Sequence, residues 1–122
     1  MKVVNLNNNR LIGGNIRQAY SFFKRLRGLM FTSGLPKGSG LHLHPCNSVH
    51  TFFMNYPIDV LYVNDQNVVV AVDEALPPGK VGKVYKDAVS VVELSAGTVK
   101  ETATRIGHKI NFIQQGEMSN DE

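Results

Sequence analysis

Residues Leu41 to Val63 read LHLHPCNSVHTFFMNYPIDVLYV, and the periodicity of this stretch decides the fold class. Leu41 and Leu43 alternate with His42 and His44, the period of two that marks a half-buried strand. Pro45 interrupts it, because proline offers no N–H to a ladder. Val49–Met54 reads as a second strand, apolar on both faces near its end. Ile58–Val63 reads as a third, opened by Pro57 and closed by the turn Asn64-Asp65-Gln66-Asn67, and Val68–Val72 pairs back as a hairpin. Short strands with frequent turn signals predict a mostly β domain.

The flanking sequence agrees. Val3–Leu6 and Arg10–Gly13 lie either side of three asparagines, a residue that tolerates the left-handed backbone of a tight turn. Ile16, Ala19, Phe23, Leu26 and Met30 recur at helical spacing. This predicts one amphipathic helix capped by Asn15 and ended near Gly28. Thr32–Gly40 is a loop by composition, and Glu74–Asp87 is a longer one carrying Pro77, Pro78, Gly79 and Gly82. Ala88–Leu94 is a strand, 95–98 a turn, Val99–Ile106 a short helix or irregular turn, and His108–Ile113 the last strand. The sum is a single-domain sandwich or barrel of about seven short strands over residues 1–113, with one helix packed on it. Residues 114–122 have the composition of a polar, disordered tail. Phe52, Phe53, Met54 and Tyr56 are expected to fill the core, with one of the two phenylalanines fully buried and its neighbour facing the other way.

A chain of 122 residues, 43% hydrophobic and 19% charged, suits one globular domain with its own core. The single cysteine cannot form an internal disulfide. No apolar run is long enough for a signal peptide or a membrane span, which predicts a cytoplasmic soluble protein. The net charge of +3 conceals an asymmetry: residues 1–58 contain seven basic and no acidic side chains, whereas residues 59–122 contain ten acids and six bases. The two halves can pair with each other. Alternatively, Arg17, Lys24 and Arg25 offer a basic helix face to an anionic or protein partner. The basic residues form no run of the kind nucleic-acid binders show, so nucleic acid is not the expected partner.

Three ordered blocks carry a family likeness: Arg25-Leu26-Arg27-Gly28-Leu29-Met30, then Pro45-Cys46 with Val49–Met54 and Tyr56–Val60, then Val92-Glu93-Leu94-Ser95-Ala96-Gly97, closed by Ile106-Gly107. From about Leu11 to Phe112 the chain resembles the domain of unknown function 192 family, also called uncharacterised protein family 0127. The resemblance implies a small, mostly β domain of sandwich or barrel type and no settled activity. Many members carry an export signal, which this sequence does not show.

Several side chains invite a chemical reading. His42, His44, Cys46 and His50 supply the nitrogen and sulfur donors that zinc or copper prefers, although their spacing matches no established metal motif. They are the candidates for a metal- or cysteine-dependent enzyme, in which His50 would activate Cys46 and Asp59 would orient the imidazole. Asp59 and Glu93 sit within apolar strands, where a carboxylate is costly unless it points outward or finds a partner. Either could pair with Arg25 and lock the helix to the barrel. Otherwise His50, Asp59 and Glu93, with Arg25 and Cys46, would form a ligand-binding pocket on the strands. The preferred reading is a non-catalytic small-molecule- or protein-binding accessory module with its site near His50, Asp59 and Glu93, and with no cofactor.

Overall fold

The computed structural model describes residues 1–114. Of the expected polar tail only Gln114 is described, accepting a hydrogen bond from Gln18 Nε2 (2.9 Å). The remainder lies outside the described residues. The chain is mostly β: the described residues form eight strands and two short helices, in the order β1 (Lys2–Asn5), β2 (Leu11–Gly13), β3 (Asn15–Ala19), α1 (Phe22–Arg27), β4 (Ser39–Leu43), β5 (Ile58–Val63), β6 (Val69–Leu76), β7 (Ser90–Ser95), α2 (Thr98–Glu101) and β8 (Ile110–Ile113). The strands form two sheets, β2-β1-β8 and β3-β4-β7-β5-β6.

β5 and β7 lie inside the larger sheet, and all but Ser95 of their twelve residues are buried. One face of that sheet packs against the smaller sheet through Val3, Ile12, Leu61, Val63, Val92 and Ile110. The other face buries Leu41, Leu43, Val60, Tyr62 and Val91. Among the described residues no further sheet covers this second face. It is roofed by irregular chain, which contributes Leu29, Val49, Met54 and Ala88.

The helix expected from Asn15 to near Gly28 is corrected in its boundaries. Asn15–Ala19 forms a strand, parallel to β4 in the register Ile16↔Gly40 and Ala19↔Leu43. Two parallel neighbours require a crossover, and α1 with the turn after it is that crossover. The helix starts at Ser21, whose side chain accepts from Lys24 N, and none of its six residues is buried. Sequence spacing joined two elements because Ile16 and Ala19 happen to continue the helical period of Phe23 and Leu26. Strand pairing overrode that period.

The predicted strand at Val49–Met54 is also corrected. This segment is irregular, with one isolated bridge between His50 and Val81. Its buried residues are Val49, Thr51 and Met54, while Phe52 and Phe53 are both exposed, at 44% and 65%. Thr51 explains the conformation. Its N–H donates to Lys80 O (2.8 Å), its hydroxyl donates to Pro77 O (2.7 Å) and accepts from Lys80 N (2.8 Å). These bonds fasten the 77–89 segment over the sheet and turn the two phenylalanines outward.

Candidate functional site

Strand register divides the two strand carboxylates. Opposed residues in a sheet share a face, and β7 places Glu93 opposite Val60 and Leu94 opposite Asp59. Asp59 therefore faces the gap between the sheets and Glu93 faces the irregular roof. The expectation that both belong to one pocket is corrected on this ground.

Asp59 is fully buried and held by three backbone donors. Its Oδ1 accepts from Ala75 N (2.8 Å), and its Oδ2 accepts from Gly97 N (3.1 Å) and Val99 N (2.9 Å). The last two donors open α2, where a side-chain acceptor satisfies N–H groups that lack a partner within the helix. Asp59 ties β5 to the β6 bend and to the start of α2, and has no free acceptor face toward a ligand.

Glu93 is the opposite case. It is buried, and its Oε1 has no hydrogen-bond partner. Desolvation raises its pKa from the ordinary 4.5 to about 8, so the side chain is largely a neutral acid at pH 7. The expected pairing with Arg25 does not form. Arg25 Nη1 donates instead to Tyr20 O (2.7 Å), and among the described residues the one ion pair joins Lys37 and Glu101 (2.7 Å). A buried carboxyl with an oxygen left unpartnered marks a candidate site.

Glu93 lies in a recess of about 40 Å³ whose lining includes Arg25, Arg27, Gly28, Cys46 and His50. Four residues singled out from sequence (Arg25, Cys46, His50, Glu93) thus meet, and Asp59 is not among them. Gly28 closes the recess with φ +49°, a conformation suited to glycine. A Cβ built there would lie 3.5 Å from Glu93 Oε1. The glycine of the Arg25–Met30 block is therefore both the end of α1 and the wall over the acid.

His50 and Cys46 are locally satisfied. His50 Nε2 faces Leu26 O at 3.3 Å and its Nδ1 lies 3.3 Å from Phe52 N. That pattern fixes the tautomer with the proton on Nε2. The Cys46 thiol donates to Ser48 O (3.0 Å). Burial, its largest influence, pushes its pKa up, away from the thiolate a nucleophile needs.

The metal candidates are divided as well. His42 opposes Val92, on the Asp59 side of the sheet. There it stacks on Phe112 (4.2 Å between rings) and its Nδ1 meets Tyr20 Oη (2.7 Å). Burial, with His44 nearby, lowers its pKa to about 4. His44 is exposed, its ring 6.3 Å from that of His42. Among the described residues no three His, Cys, Asp or Glu side chains are grouped to hold a metal ion.

On the other side of Gly28 lies a cleft of about 310 Å³, lined by Arg17 of β3, Lys24 and Arg27 of α1, and Thr32, Leu41 and Gly28. It shares Arg27 and Gly28 with the Glu93 recess. Sequence reading placed Arg17 and Lys24 on a single helix. The β3–α1 crossover instead brings them together from a strand and a helix, and adds Arg27, whose place in the Arg25–Met30 block was its only signal.

Comparison with known proteins supports the same architecture. The chain is 29% identical to a UPF0127 protein of Thermococcus sibiricus over 129 residues, covering 96% of this chain and 78% of the relative. A crystal structure of a protein of unknown function from Novosphingobium aromaticivorans superimposes with a TM-score of 0.79 at 16% identity, over 91% of this chain and 82% of that one. Another, a candidate transcription regulator of Sinorhizobium meliloti 1021, gives 0.77 at 18% identity, over 90% and 89%. At such identities the likeness is one of fold. The decisive match is to a family model, described as an uncharacterized ACR, over residues 3–112, and the chain belongs to that family, DUF192.

Proposed function

We propose that the protein is a non-catalytic accessory module that binds a small anionic molecule in the cleft between β3 and α1. One observation carries this reading. Arg17, Lys24 and Arg27 line a cleft of about 310 Å³, and none of them has a carboxylate within ion-pair distance among the described residues. The volume falls at the lower end of the range for small-molecule sites, roughly 300–1,000 Å³. Cations without protein partners there leave their donors to a ligand. Glu93 suits the same reading, since a neutral acid beside the cleft does not oppose the cations. The 40 Å³ recess itself has room for a few water-sized groups only, and would take one polar group of a ligand seated in the cleft. A cytoplasmic setting, in which Cys46 stays a thiol, belongs to this reading.

Amide chemical-shift titration with orthophosphate and with citrate tests it. Saturable shifts are expected at Arg17, Lys24 and Gly28. The Arg17→Gln, Arg27→Gln double variant is expected to weaken binding about tenfold or more, the effect of losing charge-assisted hydrogen bonds. No saturable shift with either anion, or an unchanged affinity in the variant, removes the reading.

A further inference from the structure

The end of the molecule built from α1, the turn after it, the Thr51–Met54 turn and the 77–89 segment keeps apolar side chains in solvent. Of the twelve large hydrophobic side chains exposed among the described residues, eight belong to these segments. Six of them, Phe22, Phe23, Leu26, Phe31, Phe52 and Phe53, are 44–78% exposed. A cluster of this size marks an interaction site more often than a chance exposure. His50 joins its parts: Nε2 faces Leu26 O (3.3 Å), the ring lies 5.5 Å from that of Phe52, and the backbone bridges to Val81. Phe31 N donates to Phe53 O (3.0 Å), and the two rings stack at 5.3 Å.

Phe31 and Phe53 occupy the left-handed region, at φ 63° and 61°. Bulky side chains rarely adopt that conformation. Core packing does not account for it, because the rings are 69% and 65% exposed. Strain of this kind gathers at functional surfaces, and here it holds two stacked rings toward solvent.

Charge identifies what these rings meet. Lys24, Arg27, Lys80, Lys83 and Lys86 are exposed on the same segments. Residues 1–58 contain no acid, and Asp87 is the one acid within residues 77–89. The occupant is therefore negatively charged at its surface and apolar beneath. We infer that this end docks on an anionic lipid bilayer, with the phenylalanines entering the headgroup boundary and the lysines at the phosphates. A second copy of the chain docking through this same face would bring the same positive charge and be repelled. Single-stranded nucleic acid fits less well: Phe31 and Phe53 already share a stacking face, and Leu26, Val81 and Val84 offer no ring for a base. The surface shares Lys24 and Arg27 with the anion cleft, while its phenylalanines and Lys80, Lys83 and Lys86 lie outside it. The inference concerns a surface contact and no span, since among the described residues no helix is long and apolar enough to cross a membrane.

Cosedimentation with vesicles of phosphatidylglycerol and phosphatidylcholine in equal parts, against phosphatidylcholine alone, reads this directly. The chain is expected to pellet with the first and not the second, and to be released by salt. The Phe31→Asn, Phe53→Asn double variant is expected to bind about tenfold more weakly or less, yet to melt no lower than the parent, because Asn accepts a positive φ. Lys80→Glu with Lys83→Glu, which alters only exposed side chains, is expected to show the same loss. Arg17→Gln, on β3, is expected to keep vesicle binding whatever it does to phosphate binding. The inference is overturned if the parent chain ignores phosphatidylglycerol vesicles or if both double variants bind them like the parent. It is also overturned if the two rings support dimerisation or oligonucleotide retention in place of vesicle binding.

Discussion

Asp59 and Glu93 show how two buried carboxyls on adjacent strands take opposite roles. Three backbone N–H groups converge on the Asp59 carboxylate, and each would lose its partner if the side chain were truncated. Asp59→Ala is expected to cost about 4 kcal/mol or more, the sum expected for buried donors left unsatisfied. A shift in the urea midpoint at unchanged m-value measures this. A loss below about 1 kcal/mol would show that water reaches the donors. Because Asp59 faces away from Gly28 and Glu93, anion shifts in the cleft should survive in any fraction of the variant that folds. Both carboxylates stood out in the sequence as charges within apolar strands. Their separate roles did not, because strand parity assigns faces only once the register between β5 and β7 is known.

At the scale of elements, the roof over the larger sheet depends on Thr51. Its hydroxyl bonds Pro77 O and Lys80 N, holding the 77–89 segment where no regular strand does. Thr51→Val keeps the shape and removes both bonds. The expected global cost is about 1–3 kcal/mol, with the larger effect local: hydrogen exchange at Lys80 and Gly82 should speed up while β5 and β7 stay protected. Equal acceleration throughout would mean that the roof and the sheet open together. The β hairpins and the strand Ile58–Val63 were legible from alternation and turn residues. The β3–α1 boundary was not, since a strand of five residues and a helix of six are each too short for periodicity to separate.

For the whole molecule, two buried groups shape stability against pH. His42 titrates near 4 when folded and near its ordinary 6.5 when unfolded. Between those values the unfolded chain binds the extra proton, so His42 costs stability as pH falls from about 6.5 to about 4. Glu93 titrates near 8 when folded against an ordinary 4.5. There the folded chain holds the extra proton, and stability falls as pH rises from about 4.5 to about 8. The two slopes oppose each other in between, so these groups predict a plateau from about pH 4.5 to 6.5 with a decline on each side. Glu93→Gln is expected to remove the alkaline decline, gaining roughly 4 kcal/mol over the parent at pH 8 and little at pH 4. Thermal melts across that range measure it, and a variant curve parallel to the parent's would show that Glu93 is not the group responsible. By itself the sequence determined the family, the mostly β class, the central strands and most of the residues that gather around Gly28, because alternation, turn chemistry and ordered motif blocks are local properties. Only the tertiary structure decided which of those residues share a face, that Arg17 meets Lys24 and Arg27 across a crossover, and that Phe52 and Phe53 point into solvent. Those outcomes depend on register and on which segment covers which surface, and neither is written in the spacing of residues along the chain.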